Sequence, residues 1–600
     1  MKKVKWYLVI FFLVFLTYSN SFRNKFVYDD RFTVKENYFI RDWKNFPVIF
    51  TKNYFQSAKE NSYRPVVTLT YFLDYSFYKT NPSGYHFTNF IFHLFNSFLI
   101  FYVFSLLIGE GKSFFLATLY SVFPVNSEVV NCISYREDLL VVFFCLLSFL
   151  FYVYFRQKQK KLFFVFSLVF YLFAVLSKEN GVILPFLLLL YEFSFSKKSY
   201  FKKQFFLSFF GYLIFLSIFF ILRFIIFTNP ESIPVSFLGG SIGKTLVNIP
   251  LIILRYLKLL LFPYPLLSEY PQMEVIGFKG FFFYFSMFTT VIFLLIFLFA
   301  YFFDKKILFG LLWFFIAFLP TSNIFPIFNP FAERYIYLPS IGFLLCLVLI
   351  IYKIRWRNII IGLLSVITIS YAFITNRRNR DWYDDKTLWN ANYKFNPKSE
   401  RGLLNLGYAF EEKGEYEKSI FYLTKLLEIN PFYPEAYNTR GLAYEKKGEI
   451  DKAISDYSTA IKINPNFADA YTNRGTAYEM IGEIDKAISD YSTAIKINPE
   501  HFFAYNNRAN SYLKKKEIDK AISDYSTAIK INPSIPEIYN NRGAVYLQKG
   551  EIDKAISDFT KAINLNPNYL DAYNNRAISY FLKKDYSKAL EDMKKIKQKR

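Results

Sequence analysis

The sequence predicts an all-α protein in two parts: a polytopic helical membrane bundle of about eleven spans, followed by an α-solenoid of short helical repeats. Hydrophobic residues make up 53% and aromatic residues 22% of the 600 residues. Up to about position 375 they fall in long apolar runs separated by short polar loops. Beyond position 376 the chain is charged and regular, with an Asn-Pro pair every 34 residues. Two such compositions in one chain indicate two domains of different solvent class.

Eleven apolar runs are predicted to span the membrane, because a helix needs about 20 apolar residues to cross a bilayer core. They cover 5–22, 87–108, 114–131, 139–155, 162–177, 181–195, 205–228, 281–303, 307–325, 337–352 and 358–375. The first resembles a signal peptide but has no small-residue cleavage site, so it is expected to be retained. A further stretch, 245–262, carries Arg255 and Lys258, and a charge at the bilayer centre costs on the order of a few kcal/mol. We therefore expect that stretch to lie in the interface or to re-enter.

The formal net charge is +24, and many of the Lys and Arg residues lie in short loops beside apolar runs. This placement is typical of topology signals and of contacts with anionic lipid. No nucleic-acid motif accompanies the charge, so no nucleic-acid partner is expected. If the basic loops are cytoplasmic, so is the N-terminus, and the repeats lie on the non-cytoplasmic side. The outer loops are then 23–86, 126–138, 177–180 and 322–335.

The Asn-Pro pairs predict a tetratricopeptide (TPR) array, because their 34-residue spacing is the period of that helix pair. Small and aromatic residues at the expected offsets support this, as with Gly441 and Tyr457 in one repeat and Gly475 and Tyr491 in the next. We predict a membrane domain at 1–375, a linker helix region at 376–397 and about six repeats at 398–600. The first and last repeats are degenerate, as caps should be.

One position of the repeat carries asparagine in most copies. The residues concerned are Asn405, Asn473, Asn507, Asn541 and Asn575, with Thr439 interrupting the series. Stacked repeats would align them into a ladder, and carboxamides can hydrogen-bond an extended peptide backbone without reading its sequence. They are therefore candidate acceptor-peptide contacts. The alternative is that asparagine is simply common at this offset in ordinary TPRs.

Two polar constellations lie near the membrane. Asp29 and Asp30 follow the first span, and paired carboxylates there could perform acid–base chemistry or bind a cation; a solvated loop is the alternative. His86, Asn89, His93 and Asn96 are three and four residues apart, so they share one helix face. Such a stripe should face the bundle interior, either as a cavity wall that binds substrate or in hydrogen bonds between helices.

The predicted outer loops concentrate charge. The residues are Glu128, Arg136, Glu137, Asp138, Lys178, Glu179, Glu333 and Arg334. Their cations, together with Arg64 and Arg255, are candidates for gripping a phosphate at the membrane surface. Salt bridges between the loops are the alternative. Cys132, Cys145 and Cys346 form no framework, so neither disulfides nor metal–thiolate sites are expected.

Several strings occur in a characteristic order along the chain. They are VYDDRFTVKEN, SYRPVVTLTYFLDY with YHFTNFIFHLFN after it, FPVNSEVVNCISYREDLL, LSKENG, LLLFPYPLLSEY, AERYIYLPSIG and DWYDDKTLWNANYKFNP. With the repeats, this ordered set resembles the transmembrane-and-TPR O-mannosyltransferase family and its prokaryotic relatives, which belong to the GT-C class of glycosyltransferases. The resemblance covers nearly the whole chain.

The resemblance implies a polyprenyl-phosphate-linked sugar as donor and a Ser or Thr hydroxyl as acceptor. Asp29 and Asp30 match the acidic pair of the first outer loop, one of them being the general base, and Glu128 matches the acidic residue of the second. Asn126 departs from the pattern, because relatives often have His there. We therefore expect a membrane glycosyltransferase whose repeats bind the acceptor protein. A membrane-anchored TPR scaffold without activity, or a transferase acting on a glycan or lipid, are the alternatives; a divalent metal is an open possibility.

Overall fold

The computed structural model describes residues 2–51, 53–55, 63–195, 204–223, 236–271, 275–327 and 329–599. These residues form helices, turns and loops without a β-strand, so the all-α prediction is confirmed. The chain divides into two compact units, Met1–Pro397 and Lys398–Arg600. The segment predicted as a linker, 376–397, falls within the first unit.

The first unit contains fifteen α-helices among its described residues, joined by short 3-10 turns. They are α1 Lys2–Tyr18, α2 Pro65–Tyr78, α3 Pro82–Ile108, α4 Glu110–Val122, α5 Ser127–Asn131, α6 Arg136–Lys158, α7 Lys161–Ser177, α8 Leu184–Phe195, α9 Gln204–Ile221, α10 Ile242–Leu261, α11 Phe281–Phe303, α12 Lys305–Phe318, α13 Pro339–Ile351, α14 Arg357–Asn379 and α15 Asp385–Tyr393. The basic loop 196–204 and the end of the predicted span 205–228 lie partly outside the described residues.

Among the described residues, five helices are long and apolar enough to cross a membrane. They are Val4–Arg23, Pro82–Ile108, Ile133–Lys158, Phe281–Phe303 and Asn358–Asn379. The predicted span 114–131 is instead bent by 50° between Glu110–Val122 and Pro124–Asn131. Pro124 explains the break, because proline has no N–H to continue a helix. Lys161–Ser177 and Pro339–Ile351 are apolar but shorter than 18 residues. The count of about eleven spans and their orientation therefore stay predictions.

The doubtful stretch 245–262 forms the 20-residue helix α10, which is not one of those five. Its buried face includes Ile252 and Tyr256, whereas Ile242, Leu246 and Leu261 are more than half exposed. Helix α10 thus has one apolar face packed against the protein and a second that is exposed, with its charges between the two faces. This pattern fits a helix that lies between a protein core and lipid.

Close helix packing holds the core of the first unit together. A Cβ atom added at Gly310 of α12 would lie 2.6 Å from the Cys346 sulfur and 3.0 Å from the Gly342 carbonyl of α13. The two backbones can touch only because both positions are glycine, as is common between membrane helices. Trp313 is buried nearby, with its ring 5.9 Å from Phe104 and 5.6 Å from Phe149.

The second unit consists of six consecutive helix pairs. They are α16 Glu400–Glu412 with α17 Tyr416–Ile429, α18 Pro434–Lys446 with α19 Ile450–Ile463, α20 Ala468–Met480 with α21 Ile484–Ile497, α22 Phe502–Lys514 with α23 Ile518–Ile531, α24 Pro536–Gln548 with α25 Ile552–Leu565, and α26 Leu570–Leu582 with α27 Tyr586–Lys599. A Cβ at Gly475 would come within 2.7 Å of the buried Tyr491 ring, so the small residue lets the paired helices meet. These six pairs lie in the region where about six repeats are predicted.

An arginine–aspartate ladder, not predicted from the sequence, joins these pairs. In the fourth repeat, the Arg508 guanidinium binds both Asp524 oxygens at 2.8 and 2.9 Å. Its remaining Nη1 donates to Ser492 of the preceding repeat at 3.0 Å. The same arrangement recurs at Arg440, Arg474, Arg542 and Arg576. Each arginine thus ties its own helix pair together and to the previous pair.

Replacing Arg508 by Ala should loosen the array locally, because it leaves the nearly buried Asp524 without its bidentate partner. The expected loss is about 1–3 kcal/mol of local opening free energy. Hydrogen exchange of backbone amides in α22 and α23 of the full-length protein would measure it. Lys520→Ala is the matched control, since Lys520 pairs with Glu517 at the surface and is itself 63% exposed. Equal exchange in the two variants would contradict this assignment.

Candidate functional site

A cavity of about 1320 Å³ lies in the first unit, where the segments after α1, α5, α7 and α12 meet α8 and α9. Its polar lining comes from residues of several loops: Asp29, Thr33, Arg64, Ser134, Tyr135, Glu137, Lys178, Glu179, Asn180, Arg223, Thr321, Arg334 and Tyr335. The cavity therefore gathers charged side chains from all four of the loops predicted to lie on one side of the membrane. Lys178 and Glu179 come from the loop 177–180.

Asp29 brings a carboxylate to this cavity. The preceding residue, Tyr28, has a φ of 53°, an uncommon conformation for a residue other than glycine. Its N–H donates to Asp385 at 2.8 Å, and its ring packs edge-on against Trp389. The segment around α15 thus holds the tight turn that presents Asp29. The Tyr135 hydroxyl donates to the Asp29 carboxylate at 3.4 Å.

Asp30 is fully buried and does not line the cavity. Its carboxylate accepts from the Ser134 N–H at 2.7 Å and the Val27 N–H at 3.3 Å. Burial raises the pKa of Asp30 to about 7, and these hydrogen bonds oppose the shift. Because the folded protein then binds this proton more tightly than the unfolded chain, the contribution of Asp30 to stability falls as pH rises from about 4 to about 7. The two adjacent carboxylates therefore occupy different environments, and Asp29 is the one accessible from the cavity.

Arg64 and Lys178 form a chain of ion pairs along the cavity wall. Arg64 pairs with Glu137, and Lys178 binds Glu137 at 3.0 Å and the buried Asp138 at 2.6 Å. Burial works against the charge on Lys178, but Asp138 and Glu137 outweigh it and raise the pKa of this amine. Lys178 is therefore a positive charge at a low-dielectric surface.

Arg334 and Glu128 form a second pair. The Arg334 guanidinium lies 3.0 Å from one Glu128 oxygen, and its backbone N–H donates to the other at 2.8 Å. The guanidinium also stacks over the Tyr135 ring at 4.2 Å. Glu128 is buried behind Arg334 and does not line the cavity. Its contacts are those of a residue that orients an arginine.

The remaining walls of the cavity are apolar. They are formed by Phe32, Val67, Val182, Ile183, Phe186, Leu216, Phe219, Phe220, Leu319, Pro320, Phe325, Pro326 and Ile327, with Tyr71 between the two zones. Phe186, Phe220 and Phe325 are 48%, 45% and 67% exposed. A ligand with a charged head and a long hydrocarbon tail would satisfy both zones at once.

The polar stripe on α3 is buried and lies outside the cavity lining. His93 contacts the Tyr337 hydroxyl at 2.8 Å and the Ser121 carbonyl at 3.0 Å. Asn96 donates to the Leu139 carbonyl at 3.0 Å, and Asn89 donates to the Val130 and Cys132 carbonyls at 3.3 and 3.2 Å. His86 lies 3.4 Å from the Lys25 carbonyl. Of the two alternatives, these contacts favour hydrogen bonding between helices, since each side chain satisfies a partner on another element.

Arg136 is also placed differently from its prediction as a phosphate contact. It is completely buried, and its guanidinium lies 2.6 Å from the Asp74 carboxylate. It donates to Asn89 at 2.7 Å and to the Thr70 hydroxyl and Tyr85 carbonyl at 3.1 Å each. A guanidinium with all these partners is a structural crosslink beneath the site, unavailable to a ligand.

Arg255 and Glu333 both contact Tyr270, outside the cavity lining. The Arg255 guanidinium stacks on Phe331 at 4.5 Å and donates to the Pro271 carbonyl. Glu333 is buried and accepts from the Leu267 N–H at 2.7 Å and the Tyr270 hydroxyl at 2.8 Å. Burial, with a further contribution from Glu128, raises the pKa of Glu333 to about 8. Neither residue lines the cavity.

Several polar contributors to the cavity were not predicted, among them Arg223, Tyr135 and Tyr335. Arg223 lies inside a run predicted as a membrane span. An arginine within an apolar run is a signal that could have identified Arg223, since such charges face cavities or partners. Among the described residues, no group of three or more His, Cys, Asp or Glu is arranged to hold a metal ion.

The asparagine ladder of the second unit is engaged between repeats. Asn473 donates to Asn438 of the preceding repeat at 2.9 Å, and Asn575 donates to Asn540 at 3.0 Å. Asn541 and Asn507 make longer contacts, 3.5 and 3.4 Å, with Asn506 and Thr476. Asn405 instead donates to the Arg401 carbonyl of its own helix. The amide nitrogens thus connect the repeats, and a role in binding a peptide stays a proposal.

Family models of the TPR repeat match residues 407–448, 446–482 and 509–550. Further tetratricopeptide repeat models match 468–501, 536–569, 491–523 and 559–591. Together they cover the array from its first repeat to its last, and the predicted TPR region is confirmed.

Relatives that extend into the membrane unit support the predicted resemblance. The chain is 25% identical over 451 residues to a protein O-mannosyl-transferase of Caenorhabditis elegans, covering 71% of this chain and 63% of that protein. It is 24% identical over 473 residues to protein O-mannosyl-transferase TMTC3 of Mus musculus, covering 69% of this chain and 50% of that protein. The chain therefore matches between half and two thirds of the length of these relatives, and the resemblance drawn from the ordered motifs is confirmed.

Solved structures resemble this chain over less than a third of its length. MamA is 28% identical, with a TM-score of 0.25, and the match covers 26% of this chain and 93% of that one. A thermophilic TPR protein of Thermus thermophilus is 24% identical, with a TM-score of 0.27, covering 30% of this chain and all of that one.

Proposed function

We propose that the protein is an integral-membrane glycosyltransferase that moves a sugar, mannose or a similar one, from a polyprenyl phosphate to Ser or Thr hydroxyls of proteins on the non-cytoplasmic side. The observation that carries the proposal is the cavity that holds Asp29, a cluster of cations and a broad apolar wall together. The relatives named protein O-mannosyl-transferases support the same reaction class.

The donor fits the cavity part by part. Its hydrocarbon chain would lie against Phe186, Phe220 and the other apolar walls, where burial of apolar surface favours binding. Its phosphate would meet the cations Arg64, Lys178 and Arg334, which act most strongly where water is excluded. The sugar would then project toward Asp29.

The reaction requires a base and stabilisation of the leaving group. The acceptor hydroxyl attacks the anomeric carbon while the bond from that carbon to the phosphate oxygen breaks. Asp29 takes the hydroxyl proton, and the cations stabilise the charge that develops on the departing polyprenyl phosphate. Attack opposite the phosphate inverts the anomeric centre. Asp30, Asp138 and Glu128 act through Ser134, Lys178 and Arg334 as positioning residues.

The repeats are proposed to bind the acceptor protein. TPR arrays present a continuous helical surface, and the linked membrane unit would experience a captured acceptor at a raised effective concentration. The side-chain carbonyl oxygens of the ladder asparagines are the proposed peptide contacts.

The test is sugar transfer by the purified full-length protein in lipid nanodiscs. Radiolabelled polyprenyl-phosphate mannose and a Ser/Thr-rich peptide are supplied, and mass spectrometry identifies the modified hydroxyl. Labelled peptide is the expected result. Transfer only to lipid or glycan acceptors would replace the protein acceptor in the proposal. Absence of transfer with mannose, glucose and N-acetylglucosamine donors, in protein that still binds polyprenyl phosphate, would favour the scaffold.

A further inference from the structure

Glu179 places a negative charge among the cations of the cavity. It begins the 3-10 turn Glu179–Ile183 after α7, and its two oxygens lie 3.1 and 3.4 Å from one Arg64 nitrogen. The Arg223 guanidinium lies 3.9 Å from one of the same oxygens. Desolvation within the cavity acts to raise the pKa of Glu179, but Arg64, Arg223 and Lys178 outweigh it and hold that pKa well below its usual value. Glu179 is therefore an ionised carboxylate between two arginines.

The ion pairs leave no net positive charge for an incoming anion. Within the described part of the cavity, the four cations Arg64, Lys178, Arg223 and Arg334 form ion pairs with carboxylates. Those carboxylates are also four, Glu128, Glu137, Asp138 and Glu179. Asp29 adds a fifth carboxylate at the cavity surface. A phosphate added to these groups would therefore be repelled unless one carboxylate moved away.

We propose that the Glu179 carboxylate takes the place of the donor's phosphate until the donor binds, and that the phosphodiester then displaces it from Arg64 and Arg223. The inference rests on the proposed function for the identity of the anion. The exchange conserves charge, because a glycosyl phosphodiester carries one negative charge, as does the carboxylate it replaces.

Exposure distinguishes Glu179 from the other acids. Its side chain is 40% exposed, whereas those of Glu137, Asp138 and Glu128 are 10%, 4% and 1% exposed. Moving a buried carboxylate out of its ion pair would leave its partner as an unpaired buried charge. Glu179, in contrast, can turn into the cavity by rotation of its side chain alone. Its backbone stays fixed, because Gly181 packs so tightly that a Cβ there would lie 2.8 Å from the backbone of Ala174.

The displaced carboxylate also has a role after transfer. The product, a polyprenyl phosphate monoester, carries more negative charge than the donor and would be held more tightly by the arginines. Return of Glu179 to Arg64 and Arg223 competes with that product and promotes its release. The residue thus weakens donor binding and speeds turnover.

Glu179→Gln tests the proposal, because Gln keeps the shape and removes the competing charge. We expect KM for the polyprenyl-phosphate sugar to fall roughly tenfold and inhibition by polyprenyl phosphate to strengthen by a similar factor. We expect kcat to decrease, because product release slows. A residue that merely positions Arg64 would behave oppositely: its loss would raise KM, and that result would overturn the proposal, as would unchanged constants.

Two further variants calibrate the result. Glu36→Gln removes a carboxylate with the same exposure, 42%, that pairs with Arg31 at 2.5 Å outside the cavity, and should change nothing. Glu137→Gln removes a permanent partner of Arg64 and Lys178 and should raise KM. Direct binding of labelled polyprenyl phosphate in nanodiscs separates this inference from the proposed reaction. Tighter binding by Glu179→Gln without sugar transfer by any variant would sustain the displacement and reject the transferase.

Discussion

Asp29→Asn is expected to lower the rate of sugar transfer by roughly 10²–10⁴-fold, the usual contribution of a general base. Asn keeps the size of the side chain and its capacity to accept from the Tyr135 hydroxyl, but it cannot take the proton of the attacking serine. Donor binding should change little, because the cations proposed to bind the phosphate, Arg64, Lys178 and Arg334, are left in place. The measurement is single-turnover transfer at saturating donor, with donor affinity determined separately.

Asp30→Asn is the informative comparison. Asp30 accepts two backbone N–H groups and has no access to the cavity, so its replacement should disturb the turn around Asp29 instead of removing the base. We expect a smaller rate loss, accompanied by a lower unfolding temperature. Asp485→Asn, at an 83% exposed position of the repeats, serves as a control variant in the second unit. If Asp29→Asn retained full activity and Asp30→Asn lost it, the base would be Asp30.

The repeats were predictable from sequence because the same pattern returns at a short and regular interval. Every 34 residues the same small and aromatic residues return, so one misplaced boundary cannot hide the pattern. The position of the acidic pair was predictable for a similar reason, because the pair directly follows a long apolar run that is easy to recognise. Which of Asp29 and Asp30 faces the cavity depends on one turn at Tyr28, set by Asp385 more than three hundred residues later.

The eight charged loop residues from Glu128 to Arg334 that were singled out were harder to sort, because each of them has a partner from a distant segment. Arg136 and Lys178 look alike in the sequence, as loop cations beside acids. The fold gives Arg136 a partner on α2, Asp74, which the sequence analysis did not consider, and leaves Lys178 at the cavity surface. Burial decides the role, and burial is a property of long-range packing that no local pattern contains.

That difference makes Arg136→Met the second large prediction. Removal of the guanidinium leaves Asp74 buried without its counter-charge, and Thr70, Asn89 and the Tyr85 carbonyl lose a donor. Breaking one partner of a buried pair costs about 3–5 kcal/mol. We expect a marked fall in the unfolding temperature of the full-length protein in detergent, read by intrinsic tryptophan fluorescence, and a loss of transfer that follows the loss of folded protein.

The double variant Arg136→Met with Asp74→Leu decides between a structural and a substrate-binding role. Replacing both members of a buried pair by apolar side chains of similar volume is often neutral, so stability should largely return. Transfer should return with it, because neither side chain lines the cavity. If the double variant regained its unfolding temperature while its KM for the polyprenyl-phosphate donor stayed strongly raised, Arg136 would contact the phosphate after all. The buried guanidinium would then have to become accessible during the catalytic cycle.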